Sequence, residues 1–216
     1  MNPTPSSQMF SHKIHGLVGG SGTTVILLSG WPETAEAYGD VLPLLAERHR
    51  VLAIDPPGLG ESAPSNKGYD TATISRILKE SLSAEAGKSY HVVGHDIGAW
   101  IAYAWASQFP EKLKSLTLLD SALPGLASAM SFPLSFDLNV KLWQISFNAL
   151  PELPEILTQG RERELFDWLF EKKAETPRTT HTDETRSVRE VLLEVRRNES
   201  GVRLLPRCCP KCGARR

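Results

Sequence analysis

The stretch Tyr90-His91-Val92-Val93-Gly94-His95-Asp96-Ile97-Gly98-Ala99-Trp100 decides how the rest of the chain is read. A short apolar run ends at a glycine, a carboxylate follows two residues on, and a second glycine comes two after that. A helical pattern then runs from Gly98 to Phe109 and is closed by Pro110. Strand, sharp turn and helix around Gly-x-Asp-x-Gly is the context that thrusts one side chain out of a strained bend as a nucleophile. Both glycines are required, because a Cβ at Gly94 or Gly98 would collide with the neighbouring strand and helix. With Asp96 at the apex, attack on carbon yields an alkyl–enzyme ester, not the acyl–enzyme that a serine would form. The plainer reading, a turn aspartate without chemistry, leaves the two flanking glycines unexplained.

Outward from that bend, strands alternate with helices. Thr24–Leu28 and Arg50–Ile54 are continuous apolar runs of the kind that parallel strands show when both faces are covered. The first delivers Ser29-Gly30-Trp31-Pro32-Glu33 and a helical pattern from about Ala35 to Arg48. The second ends in the turn-rich Asp55-Pro56-Pro57-Gly58-Leu59-Gly60-Glu61-Ser62. Asp70 is placed to cap a helix reaching about Ser83. Leu113–Leu119 is the strand after the elbow helix, and it ends at Asp120. Upstream, Met9–Val18 reads as an edge strand and residues 1–8 as a Pro/Ser-rich disordered end. The alternation predicts βαβ units in a mostly parallel α/β sheet.

Beyond Leu126 the pattern changes. Residues 126–195 carry helical periodicity without a convincing strand, as in Leu138–Phe147 and Glu162–Phe170, with Pro151 and Pro154 between them. This predicts a core over 1–125 and a helical cap over 126–195. Residues 196–216 form an irregular basic tail holding all three cysteines, Cys208, Cys209 and Cys212. Cys209-Pro210-Lys211-Cys212 is half of a zinc site with no second pair, so no metal and no cofactor are expected. A body free of thiols fits a reducing, cytoplasmic setting. The 41% hydrophobic and 23% charged composition with net charge −1 gives no reason to expect nucleic acid or a membrane as partner.

These motifs resemble the α/β-hydrolase-fold epoxide hydrolases and the related haloalkane and haloacetate dehalogenases. The resemblance rests on Gly94-His95-Asp96-Ile97-Gly98-Ala99, Gly30-Trp31-Pro32, the Asp55–Ser62 loop, Thr117-Leu118-Leu119-Asp120 and the segment from Trp143 to Glu155, and covers roughly residues 10 to 185. It implies that Asp96 is the nucleophile and that the backbone N–H groups of Trp31 and Ile97 form the oxyanion hole. Asp120 matches the acid that orients the catalytic histidine in some dehalogenases; many epoxide hydrolases place that acid one strand later. Trp143 and Trp31 match as N–H donors for a departing halide. The implied substrate is a small epoxide, or an organohalide in the dehalogenase alternative.

Three departures qualify the resemblance. Ser29 stands where the family carries a histidine before the glycine. Ile97, Trp100 and Gln144 replace the two arginines and the cap histidine of haloacetate dehalogenases, which argues against a haloacetate substrate. The family's catalytic histidine follows two further strands, whereas the one histidine after Asp96 is His181, within the cap. Cap tyrosines are missing too, since Tyr103 is the last tyrosine. The sequence therefore reads as a family member cut short, with a foreign tail from about Ser187. An uncovered sheet edge is then expected to drive copies of the chain to associate. A degenerate, non-catalytic binding protein is the alternative outside the enzymes.

Overall fold

The computed structural model describes residues 5–123 and 134–173. They fall into two compact units on either side of the 126/127 boundary. In the first unit, β1 (Ser6–Phe10) and β2 (Ile14–Gly19) form a hairpin, and β3 (Thr23–Leu28) follows. After these come α1 (Val41–Ala46), β4 (His49–Ile54), α2 (Thr71–Ser81), β5 (Tyr90–His95), α3 (Ile97–Gln108) and β6 (Leu113–Leu119). The strand order is β1-β2-β4-β3-β5-β6. The β1/β2 and β2/β4 pairings are antiparallel; β4/β3, β3/β5 and β5/β6 are parallel.

The apolar run in β3 serves both faces of this sheet. Ile26 and Leu28 join one buried cluster with Leu52, Ile54 and residues of α2 and α3. Val25 and Leu27 join the other with Leu42, Val51 and Ala53. That two-sided burial is why the sequence shows no polar alternation there. Helix α2 buries Ile74, Ile77, Leu78 and Ser81, a stripe at helical spacing. Trp105 of α3 stands edge-on to Tyr90 of β5 and donates its indole N–H to the phenol oxygen at 3.1 Å. A buried polar group is thereby satisfied within the apolar cluster.

Three local readings change. Residues 6–8 belong to β1, which pairs with β2, while residues 1–4 lie outside the described residues. Met9–Val18 is not one edge strand: the chain turns at Ser11–Lys13, and β2 lies inside the sheet between β1 and β4. The expected helix from Ala35 to Arg48 is instead a 3₁₀ turn at Ala35–Tyr38 followed by the short α1. Helical periodicity alone does not report such a break. The Asp70 cap is present: its side chain accepts the Thr73 N–H at 2.9 Å. Replacing Asp70 with Ala is expected to cost about 1 kcal/mol, measured by urea denaturation as a lower midpoint with unchanged slope.

The described residues of the second unit are helical: α4 (Phe136–Asn148), α5 (Leu153–Thr158) and α6 (Glu162–Lys173). Ser135 caps α4 by accepting the Leu138 N–H, and Pro154 sits in the first turn of α5, where its missing N–H costs nothing. Trp143 packs against Phe147 on its own helix and edge-on against Trp168 of α6, with centroids 5.4 and 5.9 Å away. His181, the cysteines and the tail lie outside the described residues. No helix among the described residues is long and apolar enough to cross a membrane.

Candidate active site

Asp96 occupies the single residue between β5 and α3, with φ 52° and ψ −119°. A non-glycine residue at positive φ is strained, and packing on both sides must hold it there. The flanking glycines show how. A Cβ on Gly94 would lie 2.7 Å from Ala99 Cα, inside α3, and one on Gly98 would lie 2.6 Å from the Ser29 carbonyl oxygen, beyond the end of β3. The helix start is thus pressed against two strands, as the motif predicts. The Asp96 side chain makes no capping bond to α3. Its carboxylate is left free for other partners at a helix N-terminus, which favours negative charge.

One such partner is the loop after β3. The Trp31 N–H donates to Asp96 Oδ1 at 3.2 Å. The approach is close: a Cβ on Gly30 would meet Asp96 Cβ at 2.6 Å. The Trp31–Pro32 peptide is cis. Ser29 is fully buried and its hydroxyl has no partner among the described residues, whereas the backbone donor at Trp31 is kept. Ile97 is the first residue of α3, where a backbone N–H has no partner within the helix. Across the sheet, Asp96 N–H donates to the Leu119 carbonyl at 3.3 Å, so Asp120 begins directly beside the elbow at the end of β6. Asp120 is exposed and also adopts positive φ. Trp31, Asp96, Ile97 and Asp120 therefore meet at one end of the sheet. Trp143 belongs to the second unit; its buried indole N–H has no partner among the described residues.

A pair that the sequence did not disclose completes this end. His95 Nδ1 lies 3.2 Å from Glu33 Oε2, and the same carboxylate oxygen accepts the Gly30 N–H at 3.3 Å. Glu33 comes within reach because its N–H closes a turn onto the Gly30 carbonyl. The hydrogen bond to Glu33 raises the His95 pKa above its ordinary value; burial opposes this, and the charges of Glu33, Asp96 and Asp120 add to it. A raised pKa contributes stability that is complete below about pH 6.5 and fades as pH climbs through the folded value. Glu33→Gln is expected to bring the His95 pKa back toward 6.5, read as a shifted imidazole titration by NMR. The only sequence hint was a Gly-x-x-Glu turn and a histidine next to the nucleophile.

A six-stranded, mostly parallel sheet with a side chain presented at a strained strand–helix bend is the architecture of an α/β hydrolase. The alpha/beta hydrolase fold family matches residues 23–185, and the chain belongs to it. It is similar to a soluble epoxide hydrolase of Corynebacterium sp. (strain C12), 35% identical over 124 residues, which are 57% of this chain and 43% of that protein. It is also similar to a fluoroacetate dehalogenase of Burkholderia sp., 32% identical over 112 residues, 50% of this chain and 37% of that one. Among solved structures, Cfl2 from Burkholderia cenocepacia superposes with a TM-score of 0.80 at 33% identity, covering 88% of this chain and 65% of that one. The matches thus span less than half the length of these two sequence relatives.

Proposed function

We propose that the chain is an epoxide hydrolase-like enzyme in which Asp96 attacks a ring carbon of a small epoxide and forms a covalent ester. The hydrogen bond from the Trp31 N–H to Asp96 Oδ1 carries this reading. On this reading Oδ1 is the oxygen lying in the oxyanion hole, which leaves Oδ2 to attack carbon. As the new C–O bond forms, the ring C–O bond breaks and the ring oxygen takes up a proton from solvent water. Water then adds to the ester carbonyl, whose oxygen at Oδ1 gathers negative charge opposite Trp31 and Ile97; a preorganised donor there is worth about 3 kcal/mol. Collapse breaks the ester C–O bond, gives one proton of the added water to the leaving oxygen of the vicinal diol and the other to solvent, and restores the Asp96 carboxylate. Asp120, as the orienting acid, would require an imidazole to orient, and the family's pattern puts that histidine late in the chain. Ester formation is the half-reaction that the described residues supply. The proposed layout keeps a core over 1–125, a cap over 126–195 and a tail over 196–216, in a cytoplasmic setting.

Incubation with a reactive epoxide, followed by intact and peptide mass spectrometry, tests this. An adduct on Asp96 with diol in solution is expected of a full enzyme, and an adduct without diol of one that stops at the ester. No adduct would favour the degenerate binding protein. The dehalogenase alternative draws on the unpartnered indole N–H of Trp143, the kind of donor that receives a departing halide. Halide release from haloalkanes without diol from epoxides would favour it.

A further inference from the structure

At the far edge of the same sheet, Ser7 of β1 places its Oγ 2.9 Å from Nε2 of His15 on β2. The other nitrogen of that ring, Nδ1, lies 2.7 Å from Asp55 Oδ2 at the end of β4. We propose that Ser7, His15 and Asp55 form a second nucleophilic site, which cleaves small activated esters through an acyl–Ser7 intermediate.

The geometry has the order of roles that a serine nucleophile requires: hydroxyl to one imidazole nitrogen, carboxylate to the other. Asp55 is anchored independently of the histidine. Its Oδ1 accepts the Ala35 N–H at 2.6 Å, and Oδ2 accepts the Glu61 N–H at 3.1 Å. Its Oδ2 accepts a hydrogen bond from the Nδ1–H and so turns the lone pair of Nε2 toward Ser7. The backbone is fixed as well, since His15 N–H donates to Ser62 Oγ and that hydroxyl donates to the Asp55 carbonyl. Asp55 and His15 are 1% and 5% exposed, whereas Ser7 is exposed, so base and orienting acid are shielded while the nucleophile meets solvent. As the outermost strand, β1 leaves alternate backbone N–H groups unpaired by the sheet, and these are candidate donors to an oxyanion. Nothing here depends on Asp96.

In the reaction, Ser7 Oγ bonds to the acyl carbon while its proton passes to His15 Nε2. The ester C–O bond breaks and the departing alkoxide takes that proton. Water then adds to the acyl–Ser7 ester, giving a proton to His15, and Ser7 recovers it as the acid leaves. Short acyl esters of good leaving groups suit a site on an open strand.

The test treats the full chain with a fluorophosphonate, whose phosphorus Ser7 would capture with loss of fluoride, and maps the adduct by peptide mass spectrometry. Labelling at Ser7 is expected to outpace that of every other serine by on the order of 10²-fold, the lower range for a positioned base. Ser7→Ala, on an exposed strand position, is expected to remove the adduct and the matching share of p-nitrophenyl acetate hydrolysis. The labelling rate should also rise with pH through the His15 titration. Hydrogen bonding to Asp55 lifts that titration, burial lowers it, and the charges of Asp55, Glu61 and Glu36 lift it further. Absence of the adduct, a rate flat with pH, or unchanged ester hydrolysis in Ser7→Ala would overturn the proposal.

Discussion

Asp96→Asn is expected to abolish ester formation with an epoxide while leaving the fold intact. The amide keeps an oxygen that can accept the Trp31 N–H, now 3.2 Å from Oδ1, so the hole and the bend retain their packing. What is lost is the anionic oxygen that attacks carbon in the proposed reaction. Removing a nucleophile from a hydrolase whose groups act as a unit costs on the order of 10⁶ in rate. At that scale the adduct falls below detection by intact mass. The readout is the mass of the protein after exposure to epoxide, with circular dichroism and melting temperature as fold controls. An adduct of undiminished yield in Asp96→Asn would place the reactive group elsewhere and remove the basis for reading the elbow as a hydrolase site.

The elbow was legible because its constraint is local. Gly94, Asp96 and Gly98 are contiguous, and the steric demand that selects glycine acts within a few residues of the bend. The strands were legible for the same reason: β3 and β4 need apolar side chains on both faces, which leaves an unbroken run. Leu113–Leu119 and the Asp70 cap follow from equally short-range rules. The His95–Glu33 and His15–Asp55 pairs were not readable. Their partners lie 62 and 40 residues apart and meet only once β2, β3, β4 and β5 have been ordered into the sheet. No periodicity or turn signal encodes such a meeting. The break between Ala35–Tyr38 and α1 was missed because a 3₁₀ turn and an α-helix share nearly the same apolar spacing over one or two turns. Trp143 meets Phe147 one turn further along α4 and Trp168 edge-on, which gives these aromatic side chains a packing role within the helical unit.

Asp55→Ala is expected to be strongly destabilising, costing about 3–5 kcal/mol, the range for removing one partner of a buried charge pair. The carboxylate is almost fully buried and receives three donors, the Ala35 N–H, the Glu61 N–H and His15. Alanine leaves all three without that acceptor. Gly60, at φ 52°, folds the loop over 56–62 onto the carboxylate. Set against a typical domain stability of about 5–15 kcal/mol, the loss is large enough to show as a population of unfolded chain at room temperature. Asp55→Asn should cost less, because an amide still offers one acceptor oxygen. Both variants should also change the pH dependence. The raised His15 pKa, due first to the hydrogen bond its ring donates to Asp55, contributes stability that is complete below about pH 6.5 and disappears as pH rises through the folded value. With Asp55 gone that alkaline loss should vanish, leaving the variant less stable than the parent at pH 6 by more than at pH 9. Urea titrations at the two pH values measure both effects, and an equal deficit at each would show that His15 does not carry its charge through this pair.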